Sequence, residues 1–277
     1  MQKVESPVQY LVGRGLIPVG GKLIIGGAPK SNKSFLAINM GLDLALGQPL
    51  FHAFYENKQP VFPVYRKNRV LFLEQELGSM GVQERLKGIV GALGIETPGL
   101  DYYIKTKDMS MRIDTPDGRD AITAEIAQVR PDVIFFDPLA KFHLADENSA
   151  QHMGAVMRVV DRWIQDFGCA VVIIHHTALA SLNPEMHRSG GNKLRGSSAI
   201  FADIDTSMDV TRKSSPSALE PVLQLNFELR RGEPLEPIHV RRLRNGTIKY
   251  PVEERRPTAT ATTRKVEKPK KGIYDDL

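Results

Sequence analysis

One stretch of this sequence constrains the fold more than any other. An apolar run, Lys22–Ile25, passes into Gly27-Ala28-Pro29-Lys30-Ser31-Asn32-Lys33-Ser34, and an amphipathic pattern follows from about Lys33 to Leu46. A buried strand, a tight loop and a helix in that order aim backbone N–H groups at one point at the helix N-terminus, where an anion is favoured. The octet keeps the phosphate-loop spacing G-x-x-x-x-G-K-S, with Asn32 where the last glycine usually stands. Asparagine enters left-handed backbone more readily than most residues, so the loop can still close. In this pattern residues 27–34 cradle the phosphates of ATP, Lys33 meets the β- and γ-phosphates, and Ser34 meets Mg²⁺. Otherwise the stretch is a plain strand–turn–helix corner with an incidental Lys-Ser pair.

Downstream the apolar periodicity keeps alternating. Strands are expected at Arg69–Leu73, Asp101–Lys105, Asp132–Phe136 and Ala170–Ile174, and helices at Val82–Leu93, Asp117–Val129 and Gln151–Phe167. This rhythm predicts a mostly parallel sheet covered by helices on both faces. From Ala178 to Gly196 the chain is polar and too poor in apolar residues to pack as an element. Shorter segments of β character follow at Thr206–Thr211, Val222–Leu229, Pro237–Arg241 and Thr247–Tyr250, with a hairpin corner at Arg244-Asn245-Gly246. The fold class expected is therefore α/β, a mostly parallel sheet flanked by helices with a C-terminal antiparallel β extension. It divides into an N-terminal segment 1–20, one domain over 21–252 and a basic, disordered tail 253–277.

Composition narrows the partners. The chain has 277 residues, 42% hydrophobic and 25% charged, which excludes a disordered, collagen-like or coiled-coil protein. Cys169 is the single cysteine, so disulfide frameworks and cysteine-cluster zinc sites are excluded. No secretory leader pattern opens the sequence and no apolar run reaches membrane-spanning length, which predicts a cytoplasmic protein without a membrane partner. The net charge is +5, but residues 254–277 carry seven Lys/Arg against four acids, leaving +2 for the body. So nearly neutral a body has no broad basic face for coating duplex DNA, only room for a small basic lining.

A phosphate loop needs acids beside it. Asp137 ends the run Asp132-Val133-Ile134-Phe135-Phe136-Asp137, where an aspartate at the end of a buried strand would hold Mg²⁺. An attacking water also needs a base, and Leu71-Phe72-Leu73-Glu74-Gln75-Glu76 offers two candidates. Glu74 and Glu76 fall on one side of an extended chain, so spacing does not choose between them.

Together these motifs resemble the RecA-type ATPases, and within them the hexameric RepA-type replicative helicases of plasmids. Residues 137–148 (Asp137-Pro138-Leu139-Ala140-Lys141-Phe142-His143-Leu144-Ala145-Asp146-Glu147-Asn148) are similar to that family's Walker-B strand and loop. Residues 168–176, ending in His175-His176, are similar to its sensor strand, and Arg195-Gly196-Ser197-Ser198 to the segment closing its second loop. The likeness runs in order over about residues 10 to 245. It implies a RecA-like fold, Glu76 as catalytic glutamate, and His176 as the polar residue that senses the γ-phosphate. Leu225-Asn226-Phe227-Glu228-Leu229-Arg230-Arg231-Gly232 resembles the hairpin that completes a neighbour's site, which implies Arg230, with Arg231 next, as an arginine finger. Glu228 stands where related helicases often carry a lysine.

A finger given in trans implies a homo-oligomer, a six-membered ring. In such rings the loops after the Walker-B and sensor strands face the channel, here Leu139–Ser149 and Ala178–Leu194. Lys141, His143, Arg188, Asn192, Lys193 and Arg195 are the candidates to touch a single-stranded DNA backbone. The expected function is an ATP-driven motor on single-stranded DNA in plasmid, phage or mobile-element replication, working with replication partner proteins. The alternative is a RecA-type ATPase acting as a non-motor switch or protein-remodelling ring.

Overall fold

The computed structural model describes residues 9–53, 57–176, 200 and 202–250. A short hairpin, β1 (Tyr10–Val12) and β2 (Ile17–Pro18), precedes β3 (Lys22–Gly26) and α1 (Lys33–Leu46). Then come β4 (Val70–Glu74), α2 (Gly78–Leu93), β5 (Tyr102–Thr106), α3 (Pro116–Val129), β6 (Val133–Asp137), α4 (Ala150–Phe167) and β7 (Ala170–Ile174). The last described part is β8 (Thr206–Arg212), β9 (Val222–Leu229), β10 (Ile238–Arg242) and β11 (Ile248–Lys249).

One nine-stranded sheet runs in the order β11-β10-β9-β8-β3-β7-β6-β4-β5. From β8 to β5 the neighbours are parallel; from β8 outward to β11 they are antiparallel. The C-terminal strands thus extend the sheet rather than form a second one, because β8 pairs directly beside β3.

Strand alternation sorts the central side chains into two cores. Leu23, Ile25, Phe72, Phe135 and Val172 pack with α1 residues such as Leu36 and Met40. Ile24, Leu71, Phe136 and Val171 pack on the other face with Ile122 of α3 and Trp163 of α4. Both faces being covered, the strands read as unbroken apolar runs.

The β1–β2 hairpin belongs to the first core. Leu11, Val12, Leu16 and Ile17 are buried in it, and Thr206 Oγ1 donates to Gly15 O at 3.2 Å. Residues 10–18 of the stretch set apart as an N-terminal segment are therefore packed. Strands of two or three residues are too short for a period to show in sequence.

Helix α2 begins at Gly78, one turn before the Val82 expected, because the Glu74 carboxylate caps it from inside the protein. The Arg244-Asn245-Gly246 corner lies in the β10–β11 turn, where Gly246 N donates to Leu243 O at 2.9 Å. The polar loop Ala178–Leu194, the segment Arg195–Ser198 and the tail 253–277 lie outside the described residues. Among the described residues, no helix is long and apolar enough to cross a membrane.

Candidate nucleotide site

The phosphate loop follows β3 and turns through residues whose backbone only certain side chains permit. Gly27 has φ 153°, and a Cβ there would lie 2.6 Å from Val210 O. That clash is with backbone of the neighbouring strand β8, so glycine is required. Asn32 has φ 72° and ψ 23°, the left-handed conformation a glycine would take, and it caps α1 without a side-chain hydrogen bond. The departure from the glycine pattern is thus accommodated in the backbone.

Lys33 is buried, and its Nζ donates to Gly27 O and Ala28 O, both at 2.8 Å. The ammonium is folded into the loop that it would share with a phosphate. Burial pulls its pKa down to about 8, against the upward pull of Asp137, Glu76 and Asp209. Ser31 Oγ and Asn32 Nδ2 are buried without hydrogen-bond partners among the described residues at the start of α1. Buried donors at a helix N-terminus fit an anion such as phosphate.

The acids come from β4 and β6. In β6, Asp137 shares the parity of Val133 and Phe135, the face that packs on α1. Its Oδ1 accepts from Ser34 Oγ at 3.2 Å. Burial pushes the Asp137 carboxyl up to about 7; the Ser34 bond pulls it down, Glu74 and Glu76 push it further up, and Arg85 opposes them. A hydroxyl and a carboxylate at this separation fit Mg²⁺, which keeps few protein ligands beside phosphate oxygens and water. Among the described residues no group of three His, Cys, Asp or Glu side chains gathers to hold a metal by itself.

Glu74 and Glu76 separate because the chain leaves the extended conformation between them. Glu74 is 1% exposed, and its carboxylate accepts from the backbone N–H groups of Glu76 at 2.7 Å, Leu77 at 2.5 Å and Gly78 at 3.0 Å. Both of its oxygens are committed to starting α2. Glu76 is exposed and lines the cleft over the phosphate loop.

That cleft has a volume of about 370 Å³. Around it stand the phosphate loop with Lys33 and Ser34, then Glu76, Asp137, His176 and Arg85. His176 has the parity of Val172 and Ile174, toward α1, while His175 is buried on the opposite side of the strand. Burial lowers the His176 pKa, and Lys33 lowers it further. Arg85, on α2, is a cleft residue that sequence reasoning missed, as is Phe35 on α1. The signal for Arg85 was its place two turns after the helix start, legible only once Gly78 rather than Val82 is known to begin α2.

Arg230 does not join this cleft. β9 runs antiparallel to β8 with Leu229 opposite Thr206, and Thr206 sits beside Leu23 at the start of β3. Arg230 therefore lies beyond the end of the sheet away from the phosphate loop, roughly 13 Å away along the strands. Its guanidinium is exposed and donates to Ala202 O. In the loop after β6, Lys141 is exposed, but His143 is 4% exposed and Phe142 is fully buried against Phe136. His143 is thus removed from the candidate nucleic-acid contacts: the second core extends under this loop through Leu139 and Phe142 and draws the chain inward. Arg188, Asn192, Lys193 and Arg195 lie outside the described residues.

A parallel sheet flanked by helices, with a phosphate loop after its central strand and an acid at the tip of β6, defines a P-loop protein of the RecA-like α/β class. The AAA domain family model matches residues 1–181, and the chain belongs to that family. Among solved structures it is similar to a DnaB-like replicative helicase studied with its interactions with primase, at 13% identity and TM-score 0.60. That match covers 83% of this chain and 57% of the helicase chain, so the present sequence spans little more than half of the larger protein. It is also similar to a second solved structure, an ATPase domain, at 14% identity and TM-score 0.60 over 83% of this chain and 84% of that one. At such identities the likeness is one of fold. No curated protein matches the sequence.

Proposed function

We propose that this chain is an ATP-hydrolysing ring motor of the RepA-type helicase kind, translocating on single-stranded DNA in plasmid, phage or mobile-element replication. The observation that carries the reading is the convergence of Lys33, Ser34, Glu76, Asp137 and His176 on one cleft while Arg230 stands beyond the far end of the sheet. A guanidinium so far from its own phosphate loop cannot complete its own site. Read as a finger rather than an ordinary surface arginine at a hairpin tip, it would serve a neighbour's, and this reading takes the assembly to be a hexamer. The fold likeness to a DnaB-like replicative helicase supports the helicase part of the reading by analogy.

In this mechanism the phosphate loop and Lys33 bind and orient the phosphates of ATP. Ser34 and Asp137 would hold Mg²⁺, which would supply positive charge to offset that of the phosphates. Glu76, exposed at the cleft rim, accepts the proton of the attacking water. His176 contacts the γ-phosphate edge and passes its state into the loop that follows β7. Arg230 of the adjacent subunit stabilises the charge that develops on the transferred phosphoryl group. The motor acts in the cytoplasm with replication partner proteins at an origin.

The second reading, a non-motor switch or protein-remodelling ring, draws on the body's net charge of only +2 once the tail is set aside. Measuring ATP hydrolysis with and without single-stranded DNA, together with native mass, tests both. A hexamer whose turnover rises with single-stranded DNA is expected. A hydrolysing ring indifferent to DNA moves the function to the switch, and absence of hydrolysis overturns both.

A further inference from the structure

Phe35 follows Ser34 directly on α1 and stands at the edge of the cleft. Two guanidiniums lie against its ring: the Arg85 Cζ is 4.4 Å and the Arg242 Cζ 4.8 Å from the ring centroid. Arg85 makes no hydrogen bond or ion pair with any described residue. The carboxylates that act on it through space are Asp137, Glu74, Glu76 and Glu84. Of these, Glu74 is committed to the α2 backbone and Asp137 to Ser34. Glu76 and Glu84, both exposed, attract it only through space, and the direct contact that holds the guanidinium at the cleft is the aromatic face.

The ring is fixed from behind by the distant β10–β11 turn. Gly246 has φ +90°, and a Cβ there would come within 2.9 Å of Phe35 Cε1 and 3.1 Å of Ile89 Cγ1. Asn39, one turn beyond Phe35 on α1, donates to Phe35 O at 2.7 Å and Gly246 O at 3.0 Å. It also accepts from Ile248 N at 3.0 Å. On the α2 side, a Cβ at Gly88 would meet Asn245 O at 2.6 Å. The turn is thus wedged between the helix that carries Phe35 and the helix that carries Arg85. Arg242 reaches the same ring from β10 and is tied by its Nη2 to Leu219 O at 2.9 Å. Its positive charge, repelling that of Arg85, favours an Arg85 guanidinium directed away from it, toward the cleft.

We propose that Phe35 is a positioning residue: backed by the β10–β11 turn, its ring holds the Arg85 guanidinium over the phosphate loop as a ligand for the terminal phosphate of bound nucleotide. The inference rests on reading the cleft as an ATP site. Without the ring, a long flexible side chain must be ordered anew each time the phosphate binds.

The test is a double-mutant cycle on the full chain, with Phe35→Leu, Arg85→Ala, the pair together, and Phe35→Tyr as the conservative variant. The readouts are kcat, KM and the ratio of ATP to ADP affinity measured by direct binding, with thermal melting to show that each variant is folded. Phe35→Leu and Arg85→Ala should each lower the ATP/ADP affinity ratio by about 3- to 30-fold, the range a cation–π contact supports. The double variant should be no worse than Arg85→Ala alone, and Phe35→Tyr should retain most of the ratio. A fully additive double variant, or a Phe35→Leu protein with an unchanged ratio, overturns the proposal. If Phe35→Leu does not fold, Gly246→Ala, which drives a methyl group into the ring edge, must reproduce the loss of the ratio. An unchanged ratio there also overturns it. Failure of the ATPase reading looks different: the wild-type chain then binds nucleotide without turnover or not at all. In the first case the affinity ratio still decides the role of Phe35; in the second Arg85 has no phosphate to hold and the proposal falls with the reading.

Discussion

At the scale of single residues, two glutamates two positions apart do different work because one of them is spent on backbone. The three N–H groups that donate to Glu74 stand at the start of α2, and that of buried Gly78 would otherwise be unsatisfied away from water. Glu74→Gln keeps an acceptor but loses the charge, so it should lower stability by about 1–2 kcal/mol while leaving much of the turnover. Glu76→Gln removes the proposed base at an exposed position, so the melting temperature should hold while turnover falls by roughly 10²–10⁴-fold and nucleotide still binds. Melting curves and steady-state hydrolysis of the two variants check this. The reverse pairing of phenotypes would exchange their roles.

At the scale of an element, α1 carries more than the phosphate loop. Asp43 is buried in it, accepts from Phe51 N at 2.7 Å, and lies 3.8 Å from His52 Nε2. Burial pushes the Asp43 carboxyl up to about 8, partly opposed by the Phe51 hydrogen bond, and burial lowers His52. The native state therefore holds the carboxyl protonated where the unfolded chain ionises it. A raised native pKa gives stability that is complete below the unfolded value near 4 and is lost as pH rises through 8. Wild type should lose on the order of 3 kcal/mol between pH 5 and 8 relative to Asp43→Asn, which keeps the acceptor for Phe51. Denaturant midpoints of the two proteins across that range measure it, and parallel profiles would place the pH dependence elsewhere.

At the scale of the whole molecule, the sheet sets the cleft and the proposed finger at opposite ends. Its own cleft lies at the C-terminal ends of β3, β4, β6 and β7, while Arg230 lies at the other end of the sheet. An Arg230→Ala subunit keeps an intact phosphate loop, and a Lys33→Ala subunit keeps the proposed finger. Each variant alone should be inactive, and mixing them should restore some hydrolysis at interfaces built from both wild-type halves. Mixed oligomers that form without recovery of activity would remove Arg230 from the neighbour's site.

The sequence by itself determined whatever depends on local order. The apolar runs of β3, β4, β6 and β7 sit within a residue of where periodicity puts them, and the loop from Gly27 to Ser34 is legible because its spacing is its chemistry. Strand parity, too, is a property of sequence, and it directs Asp137 and His176 to the face that α1 covers. Tertiary structure alone decided the choices in which distant segments compete for one side chain. Whether Glu74 faces a phosphate or caps a helix depends on where α2 starts, and α2 starts where it does because that carboxylate is already buried. Arg85 and Arg242 stand 157 positions apart and Gly246 a little further on, and no period in the chain announces that all three meet the Phe35 ring. Such contacts follow from the packing of α1 and α2 around the β10–β11 turn, which exists only once the whole sheet has been assembled.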